Sequence, residues 1–106
     1  MDWNSDGRKD LVVGESYNSG RVRIYLNTNS DANPVFGSFT NLQVAGADFM
    51  AEYQAMPEIV DWNSDGRKDV LCGHIDGQVF LLLNGGSDAT PSFAGSTFVR
   101  NSGGDL

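Results

Sequence analysis

The chain has 106 residues, of which 40% are hydrophobic and 13 are glycine, and its formal net charge at pH 7 is -7. These values describe one globular domain, and the negative charge argues against nucleic acid or an anionic membrane as a partner, since both require clustered Lys and Arg. No apolar run is long enough to span a membrane. The single cysteine, Cys72, excludes an internal disulfide and is expected to be a packed, unreactive thiol.

The first predicted element is a loop over residues 2–10, Asp-Trp-Asn-Ser-Asp-Gly-Arg-Lys-Asp, which recurs unchanged at residues 61–69. Oxygen-bearing side chains alternate along it, and Gly7 or Gly66 permits a sharp turn. Calcium takes roughly 6 to 8 oxygen ligands, so this spacing predicts one calcium site in each loop. Positions one, three, five and nine would supply side-chain oxygens, position seven would supply its main-chain carbonyl, and the arginine side chains would point to solvent. The predicted ligands are Asp2, Asn4, Asp6, Arg8 and Asp10 in the first site and Asp61, Asn63, Asp65, Arg67 and Asp69 in the second.

A hairpin turn without a metal is the alternative, because Asn-Ser-Asp-Gly is also ordinary turn chemistry. Three carboxylates within nine residues would repel one another without a cation, which favours the metal site. Flexible oxygen ligands favour calcium over magnesium, which demands stricter octahedral geometry. A helix-loop-helix calcium site is excluded, because its twelfth position requires Glu and is Val13 in one copy and Cys72 in the other.

Short strands are predicted along the rest of the chain, over residues 10–15, 21–27, 39–45, 57–61, 69–74, 78–83 and 96–100. The only helix candidate, residues 47–54, is treated as a loop or a single turn. Residues 20–27 parallel residues 77–84, and Ser30 and Asp31 parallel Ser87 and Asp88. The chain therefore divides into two units, residues 1–56 and 57–106, and the first unit lacks the strand that precedes the loop in the second.

Several strands are apolar on consecutive residues, as in residues 80–83, so both faces of each sheet must be covered. Without helices, only other sheets can cover them. Two packed sheets would still leave two outer apolar faces in water, which a soluble monomer of this size rarely tolerates. We therefore expect the chain to be incomplete alone.

The order of strand, Asp-x-Asn-x-Asp-Gly-x-x-Asp loop, apolar strand ending in Gly and second strand ending in Asn resembles the FG-GAP or VCBS repeat of integrin-like β-propellers. The resemblance covers nearly the whole chain. It implies an all-β fold with about two four-stranded antiparallel blades per chain and calcium in the loop between the first two strands of each blade. Propellers have about 4 to 8 blades, so the chain is expected either to be a fragment of a larger propeller, natural or engineered, or to close a ring as a homo-oligomer of three or four copies.

The function implied is that of a calcium-stabilised, non-catalytic scaffold for recognition, with one structural calcium in each loop. Calcium loops of modest rigidity fill at extracellular calcium concentrations, which favours a secreted location, as part of a parent protein or as a recombinant fragment. A catalytic role, as an accessory fragment of a polysaccharide-degrading enzyme, has little support. No Ser/His/Asp set is expected, because the chain has one histidine, and no phosphate-binding loop or Cys/His cluster is present.

The alternative function is a lectin that binds glycans between blades. Aromatic rings would stack on a sugar and polar side chains would hydrogen-bond to it. The candidate ligand residues are Trp3, Trp62, Glu52, Tyr53, Gln54 and His74. The competing interpretation is that both tryptophans pack between blades, that His74 is an ordinary surface residue, and that residues 45–56 form a connector.

Overall fold

The computed structural model describes residues 1–16, 20–51, 54–73, 77–101, 104 and 105. Within these residues it contains eleven β-strands and no helix, and every strand pairing is antiparallel. The all-β prediction is confirmed. In the described part of the chain, no helix has the length and apolarity needed to cross a membrane.

The first sheet contains β1 (Leu11–Gly14), β2 (Val22–Asn27) and β3 (Phe36–Asn41), in that order. Residues of β2 alternate between a buried face, with Val22 and Ile24, and an opposite face with Tyr25. The strand predicted at residues 39–45 begins earlier, at Phe36, because a register shift between Tyr25 and Asn27 allows Phe36 to pair with Asn27.

A short hairpin follows the first sheet, formed by β4 (Gln43–Val44) and β5 (Ala47–Asp48). Its turn places Ala45 and Gly46 in the left-handed region, with φ angles of 52° and 83°. The hairpin was not predicted, and it takes up the beginning of the segment that we expected to be a loop. After the hairpin, Ala51 N donates to Gly20 O and Ala55 N donates to Glu15 O, both at 3.0 Å, which places Ala51 and Ala55 beside the first unit.

The second sheet contains β6 (Met56–Val60), β7 (Asp69–Gly73), β8 (Val79–Leu82) and β9 (Thr97–Phe98), in chain order. Four strands in this order were predicted for the second unit, and their bounds agree to within two residues. A second hairpin, β10 (Arg100–Asn101) and β11 (Gly104–Asp105), follows. It lies 57 residues after the first hairpin, strand for strand, so the repeat extends further than the sequence comparison indicated.

The hydrophobic core lies between the two sheets. Its buried residues form one cluster within the described part of the chain, contributed by both units: Trp3, Val22, Ile24, Leu42, Phe49, Ala51, Ala55, Val70, Cys72, Leu82 and Phe93. Phe49 joins the units by packing edge to face on Phe80, with ring centroids 5.3 Å apart. The outer face of the first sheet remains apolar and exposed at Leu11, Val13 and Phe39, as predicted.

Candidate metal centres

Each nine-residue loop turns through two left-handed residues. The glycines predicted to permit the turn have positive φ angles, 86° at Gly7 and 82° at Gly66. The serines two residues earlier, Ser5 and Ser64, also lie in this region, at 59° and 58°, which was not predicted. This winding brings three carboxylates together in each loop, with one oxygen of each within 4.8 Å of the others: Asp2, Asp6 and Asp10 in the first loop, and Asp61, Asp65 and Asp69 in the second.

The first acid of each loop holds the turn through backbone hydrogen bonds. Asp2 Oδ1 accepts from Asp6 N at 3.1 Å, and Asp2 Oδ2 accepts from Gly7 N at 2.8 Å. The second loop repeats both bonds, on Asp61, at 3.1 and 2.8 Å. These bonds fold the loop back on itself, and each carboxylate oxygen retains a second lone pair that can face a cation.

The last acid of each loop is buried, at 3% exposure for Asp10 and 0% for Asp69. Asp69 Oδ2 accepts from Trp62 N at 2.9 Å, and its Oδ1 accepts from Asn84 N at 2.8 Å. Asp10 makes the equivalent bonds with the backbone of Trp3 and Asn27, both at 2.8 Å. A buried carboxylate is costly unless it is hydrogen-bonded. Here one bond reaches the start of the loop, and the other reaches Asn27 at the end of β2 or Asn84 shortly after β8.

The middle acid is paired with the arginine two residues later. Asp6 accepts from Arg8 N at 2.9 Å and from Arg8 Nη2 at 2.8 Å. The backbone hydrogen bond from Arg8 is the largest effect that lowers the pKa of Asp6, and the Asn4 and Arg8 side chains add to it. In the second loop, Arg67 Nε lies 3.3 Å from Asp65 Oδ2. The two arginine side chains are 41% and 40% exposed, and each also neutralises the adjacent carboxylate, a pairing that was not predicted. Their main-chain carbonyls remain predicted ligands.

The amide at position three differs in its hydrogen bonding from the three acids. Asn4 Oδ1 is buried and has no hydrogen-bond partner. The Asn63 amide lies beside Asp65, where its nitrogen can donate to the two carboxylate oxygens at 3.1 and 3.2 Å. The opposite amide orientation would point its oxygen towards the same group, as a metal ligand requires. An unpartnered amide oxygen beside three converging carboxylates is a donor set that fits a hard cation.

A buried asparagine after each loop organises the following turn. Asn27 Oδ1 accepts from Asn29 N at 3.0 Å and from Val35 N at 3.1 Å, while its Nδ2 donates to Ser30 O at 2.9 Å. Asn84 makes the same three bonds in the second unit, at 2.9, 3.0 and 3.0 Å. Sequence reasoning assigned no role to these residues, although their recurrence at equivalent positions of the two units was a signal.

A further acid supports each loop from outside. Lys9 N donates to Asp31 Oδ1 at 2.7 Å, and Lys68 N donates to Asp88 Oδ1 at 3.1 Å. Asp88 also contacts the other unit, since it accepts from the Ser5 hydroxyl at 3.1 Å, and it pairs with Lys68 Nζ at 2.9 Å. The Lys68 side-chain hydrogen bond is the largest effect that lowers the pKa of Asp88.

Among the candidate sugar-binding residues that the structure describes, the two tryptophans differ in burial. Trp3 is buried at 8% exposure against Phe93, with ring centroids 6.3 Å apart, whereas Trp62 is 48% exposed. Gln54 is half-buried. Glu52, Tyr53 and His74 lie outside the described residues. Trp3 lines an open pocket of about 410 Å³ between the units, together with polar residues that include Asn41.

The chain was compared with protein-family models, with curated proteins and with solved structures, and none of them matches it.

Proposed function

We propose that this chain is a calcium-binding β-propeller repeat module of the FG-GAP or VCBS type, which serves as a non-catalytic scaffold for recognition. The observation that carries the proposal is the convergence of three carboxylates within 4.8 Å in both loops, beside the unpartnered Oδ1 of Asn4 in the first. Asp2, Asn4, Asp6, Asp10 and the Arg8 carbonyl would hold one ion. The equivalent residues of the second loop would hold the other.

The cation would have a structural role. The last acid of each loop already bonds to the backbone at the end of a core strand, at Asn27 or Asn84. A cation shared by this acid and the two preceding ones would tie the exposed tip of the loop to the core. Two calcium ions would also change the formal charge of the chain from -7 to -3, which reduces repulsion between the acids.

Calcium is favoured because every predicted donor is an oxygen and the loop offers several flexible ligands. Arg8 and Arg67 compete with the cation for the middle acids, since their guanidinium groups lie 2.8 Å from Asp6 and 3.3 Å from Asp65. This competition implies modest affinity, in the range of about 10⁻⁴ to 10⁻³ M, which suits extracellular calcium concentrations. We therefore propose a secreted location.

Calorimetric titration with calcium tests the proposal. The wild-type chain should bind two ions. Asp6→Asn and Asp65→Asn should each remove one of them, because each substitution leaves the other loop intact. Glu58→Gln is the matched control, since it removes the same charge from an exposed position outside both loops, and it should bind two ions.

Three results would decide against the metal sites. They are the absence of calcium binding at millimolar concentration, equal loss of binding in the Glu58→Gln control, and a thermal midpoint that calcium does not raise. In those cases the loops would be turns that are held by their own hydrogen bonds. Stronger binding of magnesium than of calcium would support the metal sites but identify magnesium as their ion.

A lectin is the second candidate, and the pocket of about 410 Å³ between the units favours it. Its lining combines Trp3 with Asn41, Gln43 and Ser92, which is the mixture of aromatic and polar groups that sugars require. The burial of Trp3 leaves little of its ring for stacking, so the polar groups would dominate. A glycan array probed with wild-type chain and Asn41→Ala tests this function, and equal binding patterns for the two would exclude the pocket.

A further inference from the structure

The two units bury opposite faces of their sheets. Face A comprises Trp3, Val22, Ile24 and Leu42 in the first unit, all buried, and the equivalent Trp62, Val79, Leu81 and Val99 in the second, all more exposed. Face B comprises Val70, Cys72, Leu82 and Phe93 in the second unit, all buried, and the equivalent Leu11, Val13, Tyr25 and Phe36 in the first, all more exposed. Face A of the first unit packs on face B of the second, which leaves one face of each type unpaired.

The internal contact shows what face A and face B recognise in each other. Trp3 packs on Phe93, with ring centroids 6.3 Å apart. At the edge of the contact, the Ser5 hydroxyl donates to Asp88 Oδ2 at 3.1 Å and accepts from Lys68 Nζ at 3.2 Å. The contact thus joins an aromatic pair to a Ser, Asp and Lys cluster.

Both halves of this contact recur on the unpaired faces. The second loop is identical to the first, so it presents Trp62 and Ser64 in place of Trp3 and Ser5. The first unit carries Phe36, Asp31 and Lys9 in place of Phe93, Asp88 and Lys68. Trp62, Ser64, Asp31 and Lys9 are exposed. Face B of the first unit therefore carries groups equivalent to those with which face B of the second unit contacts the first loop. It can contact an identical loop in the same way.

We propose that face A of the second unit packs on face B of the first unit of another copy of this chain, which repeats the internal contact head to tail. Trp62 of one copy packs on Phe36 of the next, and Ser64 meets Asp31 and Lys9 of that copy. The interface joins two different surfaces, so successive copies add in one direction until a ring closes. The contact depends on the fold and does not require that the loops hold calcium.

Two variants test the direction of assembly. Trp62→Ser disables face A while keeping the Trp62 N–H that Asp69 accepts, and Val13→Asp disables face B at an exposed position. Each should weaken association by roughly tenfold to a hundredfold, because buried aromatic anchors and apolar centres dominate interfaces. Each variant retains one intact face, so an equimolar mixture should form a capped heterodimer of about twice 11.4 kDa. Mass is measured by light scattering after size exclusion.

Ala47→Ser is the control, since Ala47 is exposed in the hairpin β4–β5 and belongs to neither face. It should assemble as the wild type does. Circular dichroism establishes that every variant is folded, and calcium titration of the same samples tests the metal sites separately, because no variant removes a proposed oxygen ligand.

Several outcomes would overturn the interface. A folded wild-type chain that stays monomeric at high concentration would show that copies of this chain do not cover these faces. Self-association of Val13→Asp alone would indicate pairing of two A faces, and self-association of Trp62→Ser alone would indicate pairing of two B faces. A mixture that remains monomeric would also contradict the head-to-tail contact.

Discussion

The last acid of each loop has a structural role that can be separated from any role in metal binding. Asp10 and Asp69 are buried and accept two backbone N–H groups each, one from the loop and one from the end of a strand. Each carboxylate oxygen keeps a second lone pair beyond these bonds. The same carboxylate can therefore hold the turn and also bind a cation.

Asp69→Asn should destabilise the chain even in the presence of a chelator. The amide retains one acceptor oxygen and turns an NH2 group towards the other backbone donor, so a buried N–H of Trp62 or Asn84 loses its partner. The expected cost is about 1 to 3 kcal/mol, measured by urea denaturation followed by tryptophan fluorescence. Asp10→Asn is the matched substitution in the first loop. Wild-type stability for both variants in chelator would mean that these acids act only through a bound ion.

The sequence allowed the acids and asparagines of the loops to be identified, because their spacing is fixed by local turn geometry. It did not reveal the pairing of Arg8 with Asp6, which depends on a side-chain rotamer. It also did not reveal Asn27 as the organiser of residues 29–35, because a single asparagine at a strand end is compatible with many environments. The repeat of this residue at Asn84 was visible, but its hydrogen bonds were not.

At the level of elements, the longer strands were predictable and the two hairpins were not. β2 carries four apolar residues and β7 carries three in succession, which is enough for the pattern to indicate a strand. The strands of the hairpins have two residues each. Their turn uses a left-handed Ala45 in the first unit, and alanine gives no signal for that conformation.

Gly14 is expected to be intolerant of a side chain. A Cβ atom at this position would lie 2.0 Å from Ala55 O, a main-chain atom of the segment that leads into β6. Gly14→Ala must therefore displace the backbone and should cost about 1 to 3 kcal/mol. Gly37→Ala is the control, since no atom lies within 4 Å of its added Cβ. Thermal denaturation of both variants measures the difference, and equal midpoints would contradict the close approach of the two segments.

The contact between Asp88 and Lys68 should make stability depend on acid pH. The hydrogen bond from Lys68 lowers the pKa of Asp88 in the folded state. A lowered pKa contributes stability above the ordinary carboxyl pKa, about 4, and that stability is lost as the pH falls through the folded-state value.

Asp88→Asn should therefore reduce the loss of stability between about pH 5 and pH 3. Asp31→Asn is the comparison, because Asp31 accepts from Lys9 N within its own unit. Urea midpoints measured across this pH range provide the test. If the urea midpoint of Asp88→Asn depends on pH as that of the wild type does, while the midpoint of Asp31→Asn depends on pH less strongly, the acid sensitivity belongs to the first unit.

At the level of the whole molecule, the repeat was readable from the sequence, but the choice of buried face was not. Trp3 and Trp62 occupy identical nonapeptides, yet one is 8% exposed and the other 48%. The difference arises because Trp3 meets Phe93 of the other unit, and no such neighbour within the described chain covers Trp62. Local sequence sets the conformation of the loop, and the environment of the tryptophan depends on which unit stands beside it.

Cys72 offers a test of whether the two units unfold together. Its side chain is fully buried in the second sheet, and burial raises the pKa of its thiol, so it should not react with a thiol reagent at pH 8 while the core is closed. The described core is shared between both sheets.

Ile24→Ala, in the first sheet, should cost about 2 to 5 kcal/mol. It should accelerate modification of Cys72 by the same factor that it increases the unfolding equilibrium constant. Leu26→Ala is the control on the same strand, since Leu26 is 37% exposed, and it should leave the rate nearly unchanged. If Ile24→Ala destabilises the first unit and Cys72 stays protected, the sheets unfold independently, and each unit would be a separate cooperative element.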